Sequence, residues 1–506
     1  MARFFEGVEP ERVWYHFEEL TKLPHGSGNE DAVRKYLADF AQKHGFDHFY
    51  NPKASVDQPG ERVMVIYKKA APGLENKPTV VIQGHMDMVC VPDEQIFPLK
   101  LVHCDAQGQP GKGWVKAGGY TDQDGTSLGA DNGIGMSIAL AILEDTGHRF
   151  GPIECFFTVQ EEVGMDGARD FNPDLLKGRV YLNLDEETLQ TVTYGCAGGL
   201  RIDLSWEMKR ESVPAGAKCY SLNVSGLKGG HSGARIHEGR ANAIKLLTRI
   251  LYQARDSKIE YTIASLNAGN IKQSNVIPGN ARAHVILKPQ DVPDFEKLVA
   301  TMRETFTAEY RGIEPLLEVD WQEIDAPETM MSPSDDRRLA DVLMMAPHGV
   351  VKLTPGNPEL VETSTNLAAV SVNGVEAKVV AMPRSSRQSG VEWVWNIYQA
   401  IAASTGVNLS RSEWYPSWTP REDSTLLQTA KEIYSERFHG DFKAIVIHAG
   451  LECGWIVNKY EKGTPMDCIA FGPNLVDPHS RRERVEIASV AAFYQCVLAI
   501  LKHYAE

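Results

Sequence analysis

The run Thr79-Val-Val-Ile-Gln83 is apolar at nearly every position, and a strand of that texture has to be covered on both faces. Arg62–Tyr67, Ile153–Gln160 and Arg179–Leu184 are similarly short and rich in β-branched or aromatic residues. Around them, Pro10–Leu23 and Glu30–Gly45 carry apolar residues at three- and four-residue steps, the period of an amphipathic helix. Asn132–Asp145 reads as a buried helix reached through a glycine-rich turn. Strands covered on both faces and alternating with helices specify an α/β sheet domain over residues 1–187.

Past Gly195-Cys-Ala-Gly-Gly199 the texture changes. Strands at Leu200–Trp206, Tyr220–Val224 and Ala281–Leu287 alternate in polarity and are interleaved with helices at Arg240–Arg255 and Val292–Thr307, which describes a two-layer α+β domain over 188–405. A helix at Asp336–Met345, a strand at Ala377–Met382 and a helix at Val391–Ser404 repeat the pattern, as if the insert held two related halves. Over 406–506 the α/β texture returns, with helices at Ser424–Arg437 and Val485–His503 and strands at Ala444–Ile447 and Cys468–Phe471. The 506 residues are too many for one compact core. They read as one sheet domain interrupted by a large insertion.

Acids outnumber bases 67 to 52, a net charge of -15, which argues against nucleic acid or an anionic membrane as partner. Eight scattered cysteines with no C-x-x-C spacing fit reduced thiols in a cytoplasmic protein. No signal peptide and no membrane span is expected, since no stretch approaches eighteen consecutive apolar residues.

The chemistry gathers where strands stop. Gly84-His85-Met86-Asp87 follows Thr79–Gln83, Glu161 and Glu162 follow Ile153–Gln160, and Asp185 follows Arg179–Leu184; Gly129-Ala130-Asp131-Asn132-Gly133 opens a helix, and His479 lies in a loop before the last helix. In an open α/β sheet, ligands bind outside the carboxyl ends of strands, so these groups can converge. Carboxylates so gathered repel one another unless a cation neutralises them. Two imidazoles (His85, His479) and three carboxylates (Asp131, Glu162, Asp185) without a thiol suit Zn²⁺, Co²⁺ or Mn²⁺. Five ligands exceed what one catalytic ion with an open position takes, and suit two ions sharing a carboxylate. Asp87, two residues from His85 on an extended chain, can orient the imidazole. Glu161 and Glu162, adjacent on an extended chain, would point opposite ways, one to a metal and one to water as general base. Taken singly, each motif is equally a loop pair, a helix cap or a surface acid; their coincidence in one domain favours a site.

With Gly195-Cys-Ala-Gly-Gly199 and Lys228-Gly-Gly-His-Ser-Gly-Ala-Arg-Ile-His237, this ordered series resembles the dinuclear zinc exopeptidases that include carboxypeptidase G and the carnosinases, and among them the bacterial aminoacyl-histidine dipeptidases. The resemblance implies a zinc-exopeptidase sheet domain covered by helices and bearing an inserted lid. It also implies two Zn²⁺, one on His85 and Asp185, the other on Glu162 and His479, bridged by Asp131. Asp87 would orient and Glu161 would act as base. In the lid, His231 resembles a histidine that polarises the scissile carbonyl, and Asn275 matches a substrate-contacting asparagine. Arg384, or else Arg387, could hold a peptide carboxylate.

The expected activity is hydrolysis of unblocked dipeptides, including Xaa-His, with pairing of two copies through the lid. The alternatives are an N-acyl amino acid deacylase or an aminopeptidase on the same metal core, or a peptide-binding protein without catalysis.

Overall fold

The computed structural model describes residues 3–412, 414–421, 423–439 and 442–506. Two compact units emerge: Met1–Cys196, Pro420–Val446 and Leu451–Glu506 form the first, Ala197–Thr419 with Ile447–Gly450 the second.

The first unit holds an eight-stranded sheet in the order Asp47–Phe49, Met64–Lys68, Ile153–Thr158, Val80–His85, Val180–Asn183, Asp467–Phe471, Thr191–Cys196, Lys443–Ile447. Its middle four strands are parallel, and Val80–His85 and Ile153–Thr158 are buried at every position, as their continuous apolar texture requires. Asp467–Phe471 is an interior strand, parallel to Val180–Asn183 on one side and antiparallel to Thr191–Cys196 on the other. Helices Glu11–Leu20, Asp31–His44, Ala130–Glu144, Thr425–Arg437 and Ile487–Ala505 give buried side chains to the same core. By length and composition alone Ile487–Ala505 is apolar enough to cross a membrane. In the fold its Val490, Phe493, Val497 and Leu501 are instead core residues. A four-stranded sheet of Leu475–Val476, Arg484–Glu486, Trp114–Ala117 and Leu101–Cys104 was not expected from the sequence, because its strands are two to four residues long and show no clear period.

The second unit is a ten-stranded sheet whose pairings are all antiparallel. Helices Ala243–Asp256, Val292–Glu309, Pro333–Met345 and Gln388–Thr405 share its core. The two expected halves are one sheet, joined where Tyr261–Ala268 pairs with Asn357–Asn373. The expected boundaries at 187 and 405 both shift toward the C-terminus, to 196 and 419. Thr191–Cys196 belongs to the first unit through its pairing with Asp467–Phe471, and Asn408–Arg411 belongs to the second through its pairing with Ile202–Glu207. None of the eight cysteines is in a disulfide.

Candidate metal centre

Each parallel strand of the first unit ends on chemistry. Val80–His85 finishes at His85; Ile153–Thr158 leads through Gln160 to Glu161 and Glu162; Val180–Asn183 leads to Asp185; Asp467–Phe471 leads to the loop of His479. The helix Ala130–Glu144 presents Asp131 in its first turn, where φ and ψ are not yet helical and the Asp131–Asn132 peptide is cis. Two glycines make the approach possible. A Cβ on Gly84 would stand 2.2 Å from Asn132 Oδ1, and Gly129 adopts φ +70.

These segments bring all five expected ligands together. Asp131 lies between the imidazoles: His85 Nε2 is 3.0 Å from its Oδ1, and His479 Nε2 is 3.0 Å from its Oδ2. Each imidazole also meets a carboxylate of its own, Asp185 Oδ1 at 3.2 Å from His85 and Glu162 Oε1 at 2.8 Å from His479. Three candidate metal-holding groups result: His85–Asp131–Asp185 and Asp131–Glu162–His479, which share Asp131, and His85–Glu161–Glu162.

The tautomer tests whether a cation fits. His85 Nδ1 is 2.9 Å from the main-chain carbonyl of Asp87, which only accepts, so Nδ1 carries the proton. In the neutral ring Nε2 is then a bare lone pair aimed at two carboxylate oxygens. That arrangement is repulsive unless the ring takes a second proton or a cation stands between. The proton affinities express the same demand. Hydrogen bonds donated to the Asp131 and Glu162 carboxylates push His479 up to about 11 despite its partial burial. Burial alone would lower His85, yet Asp185, Asp131 and Asp87 raise it well above the ordinary range. Burial pushes Asp185 up to about 7, with Asp131 adding to it against the opposing pull of His85. A divalent ion in each of the two groups that share Asp131 would replace these protons.

Asp87 departs from the expected geometry. Its carboxylate Oδ1 is 3.6 Å from His85 Nδ1, beyond hydrogen-bond length. It instead accepts the main-chain N–H groups of Glu161 (3.0 Å) and Glu162 (3.2 Å) and the hydroxyl of Ser27 (2.8 Å). The reason is a second correction: Glu161–Gly164 is a single helical turn, not extended chain. Gln160, in the left-handed region at φ 57, ends the strand and turns the two N–H groups toward Asp87. Burial first, then the carboxylates of Asp185, Glu452 and Glu162, push the Glu161 carboxyl well above its usual range, although His85 opposes them.

Two supporting residues escaped the sequence reading. Asn132 Nδ2 donates to Asp185 Oδ1 at 2.7 Å and to the Leu184 carbonyl at 2.6 Å, which aims Asp185. Glu452, fully buried, accepts from Gln83 Nε2 (2.6 Å) and Thr158 Oγ1 (2.8 Å).

The second unit has its own polar cluster. His231 Nδ1 accepts the Ala234 N–H at 3.1 Å, which leaves Nε2 as the donor, and burial followed by Arg384 lowers the ring to about 4. Arg384 is buried, with Nη1 donating to Tyr415 Oη at 2.7 Å, and no carboxylate lies in ion-pair range of it among the described residues. Arg387 is exposed and stands 3.5 Å from Glu362. Asn275 is exposed in a segment held by Asn366 Nδ2, which donates to the Ser274 and Val276 carbonyls. His448, 2.7 Å from Ser364 Oγ, is lowered to about 3 by burial and Arg384. Its signal was available in the sequence, since it follows the strand Lys443–Ile447 directly.

Residues 222–314 match the family described as "Peptidase dimerisation domain". The chain is 31% identical over 498 residues to the cytosol non-specific dipeptidase of Escherichia coli (strain K12), covering 98% of each protein. The solved structure of aminoacylhistidine dipeptidase from Vibrio alginolyticus superposes with a TM-score of 0.88 at 32% identity, over 99% of this chain and 98% of that one. Aminopeptidase PepT from Bacillus cereus, at 15% identity and a TM-score of 0.55 over 99% and 100% of the two chains, shares the fold. With relatives alike in sequence and fold from end to end, the chain belongs to the M20 family of peptidases.

Proposed function

We propose that the protein is a dipeptidase that hydrolyses unblocked dipeptides, Xaa-His among them, at a pair of zinc ions. The observation that carries this reading is Asp131, whose two oxygens face two imidazoles, each with a further carboxylate of its own. His85 and Asp185 would hold one ion, Glu162 and His479 the other, and Asp131 both. Bound there, the ions would supply Lewis acidity to the reacting water and the scissile carbonyl. Glu161, with its raised proton affinity, takes the proton of the attacking water and returns it to the leaving amine. Asp87 holds the turn that carries Glu161 and Glu162.

His231, neutral with Nε2–H as its free donor, stabilises the oxyanion, and Arg384, with no acid partner among the described residues, takes the substrate carboxylate, with Asn275 as a further contact. The dipeptidase names of the E. coli and Vibrio alginolyticus relatives support the substrate class, and the word cytosol in the first supports a cytoplasmic setting. The dimerisation-domain match supports pairing of two copies through the second unit.

Metal analysis together with a panel of Xaa-His, β-alanyl-His, tripeptide and N-acetyl substrates tests the reading. Two ions per chain and turnover confined to dipeptides are expected. Turnover of N-acetyl amino acids or tripeptides without dipeptides would overturn it.

A further inference from the structure

Glu483 is a buried acid, 2% exposed, with no ion-pair partner among the described residues. Its oxygens accept four successive main-chain N–H groups: Leu128 (2.7 Å) and Gly129 (3.1 Å) on Oε2, Ala130 (2.8 Å) and Asp131 (3.4 Å) on Oε1. These are the N–H groups at the start of the helix Ala130–Glu144, which have no partner within the helix.

Helices are ordinarily capped by a neighbour in sequence, as Ser424 caps Thr425–Arg437 by accepting the Leu427 N–H. Here the N-cap position is Gly129, at φ +70, where an added Cβ would stand 2.8 Å from Met88 Sδ. A local side-chain cap is therefore excluded. The cap comes instead from the loop that carries His479, four positions before Glu483. One residue thus ties together the two segments that bring Asp131 and His479 to 3.0 Å of each other.

We propose that Glu483 is a positioning residue of the metal centre, which fixes the separation of Asp131 and His479 and so governs retention of the ion on the His479 side. The inference rests on the dinuclear reading above, and its test separates the two. Replacing Glu483 by Gln keeps the volume but turns one acceptor into a donor facing N–H groups. Removal of such outer contacts costs about tenfold to a hundredfold in metal affinity.

The experiment is titration of the metal-free full chain with Co²⁺, followed by visible absorption and calorimetry, for wild type, Glu483→Gln, Glu483→Asp and Ser424→Ala. Expected are two ions in wild type, one of them weakened about tenfold or more in Glu483→Gln, partial recovery in Glu483→Asp, which keeps both oxygens, and no change in Ser424→Ala, which uncaps a helix elsewhere in the unit. Activity of Glu483→Gln should recover at high metal concentration. Two ions held with wild-type affinity and spectrum in Glu483→Gln would overturn the inference alone. Fewer than two ions in wild type would overturn the dinuclear reading and this inference with it. If Glu483→Gln does not fold, Glu483→Asp decides by the same titration, where an unchanged affinity for both ions counts against the proposal.

Discussion

The histidines of the candidate metal centre and those of the second unit's polar cluster behave in opposite ways. In the first, carboxylates on several sides of His479 raise its proton affinity to about 11, and they raise that of His85 as well. In the second, burial and the Arg384 guanidinium lower His231 to about 4 and His448 to about 3. The side chain is the same and the neighbours differ. An imidazole among acids holds a proton or a cation, whereas one buried beside a guanidinium stays neutral and offers one donor and one acceptor. The first cluster draws positive charge, and in the second Arg384 meets no carboxylate in ion-pair range among the described residues.

The largest break in this contrast comes from Glu161→Gln, which removes the proposed base and leaves the five proposed metal ligands in place. Turnover should fall by about 10² to 10⁴ with both ions retained. Steady-state kinetics beside metal analysis checks it, and wild-type turnover in the variant would remove Glu161 from the mechanism.

A smaller effect is expected of His231→Ala, about 10² to 10³ in kcat with KM little changed. Because the wild-type ring is already neutral above about pH 5, the variant should keep the same dependence on pH from 5 to 8. A limb of the wild-type profile near 6.5 that vanishes in the variant would mean that His231 titrates like an ordinary histidine.

The smallest effect on turnover, none, is expected of Asp336→Asn, which sharpens the contrast from the side of the acids. Burial pushes Asp336 up to about 7 from 3.8, whereas imidazoles hold Asp131 well below the usual range. Between those two values the folded chain binds more protons at Asp336 than the unfolded chain does. Its stability is therefore full below pH 3.8 and falls as pH rises through 7. Asparagine keeps the acceptor for the Ile263 N–H, 2.8 Å away, and cannot ionise. The variant should be the more stable protein at pH 8, by up to about 4 kcal/mol, and equal to wild type near pH 4. Denaturant unfolding at both values measures this, and parallel pH slopes would refute it.

What the sequence disclosed follows from range. Strand texture and the positions of strand ends are local, so His85, Glu162 and Asp185 could be placed at the rim of one sheet from a single chain, whereas His479 was legible only as a loop residue before the last helix. The helical turn at Glu161–Gly164 is too short for a period, and its cause, Gln160 in the left-handed region, is not written in residue type. That error carried over to Asp87, whose partners are main-chain N–H groups of that turn rather than the His85 ring. Glu483 was illegible for another reason: it reaches back across the whole second unit to the helix it caps, and no spacing rule spans such a distance. The eventual boundaries of the second unit moved because strand partners, not texture, decide membership.

The interior place of Asp467–Phe471 in the first sheet has a consequence for the order of synthesis. A chain emerging from the ribosome makes Val180–Asn183 and Thr191–Cys196 early, and no strand can fill the gap between them until the entire second unit has been translated. His479 arrives later still. The nascent chain therefore carries a half-built sheet, and lacks one of the five proposed metal ligands, until residues 467–479 have emerged, and peptidase activity has to wait for them.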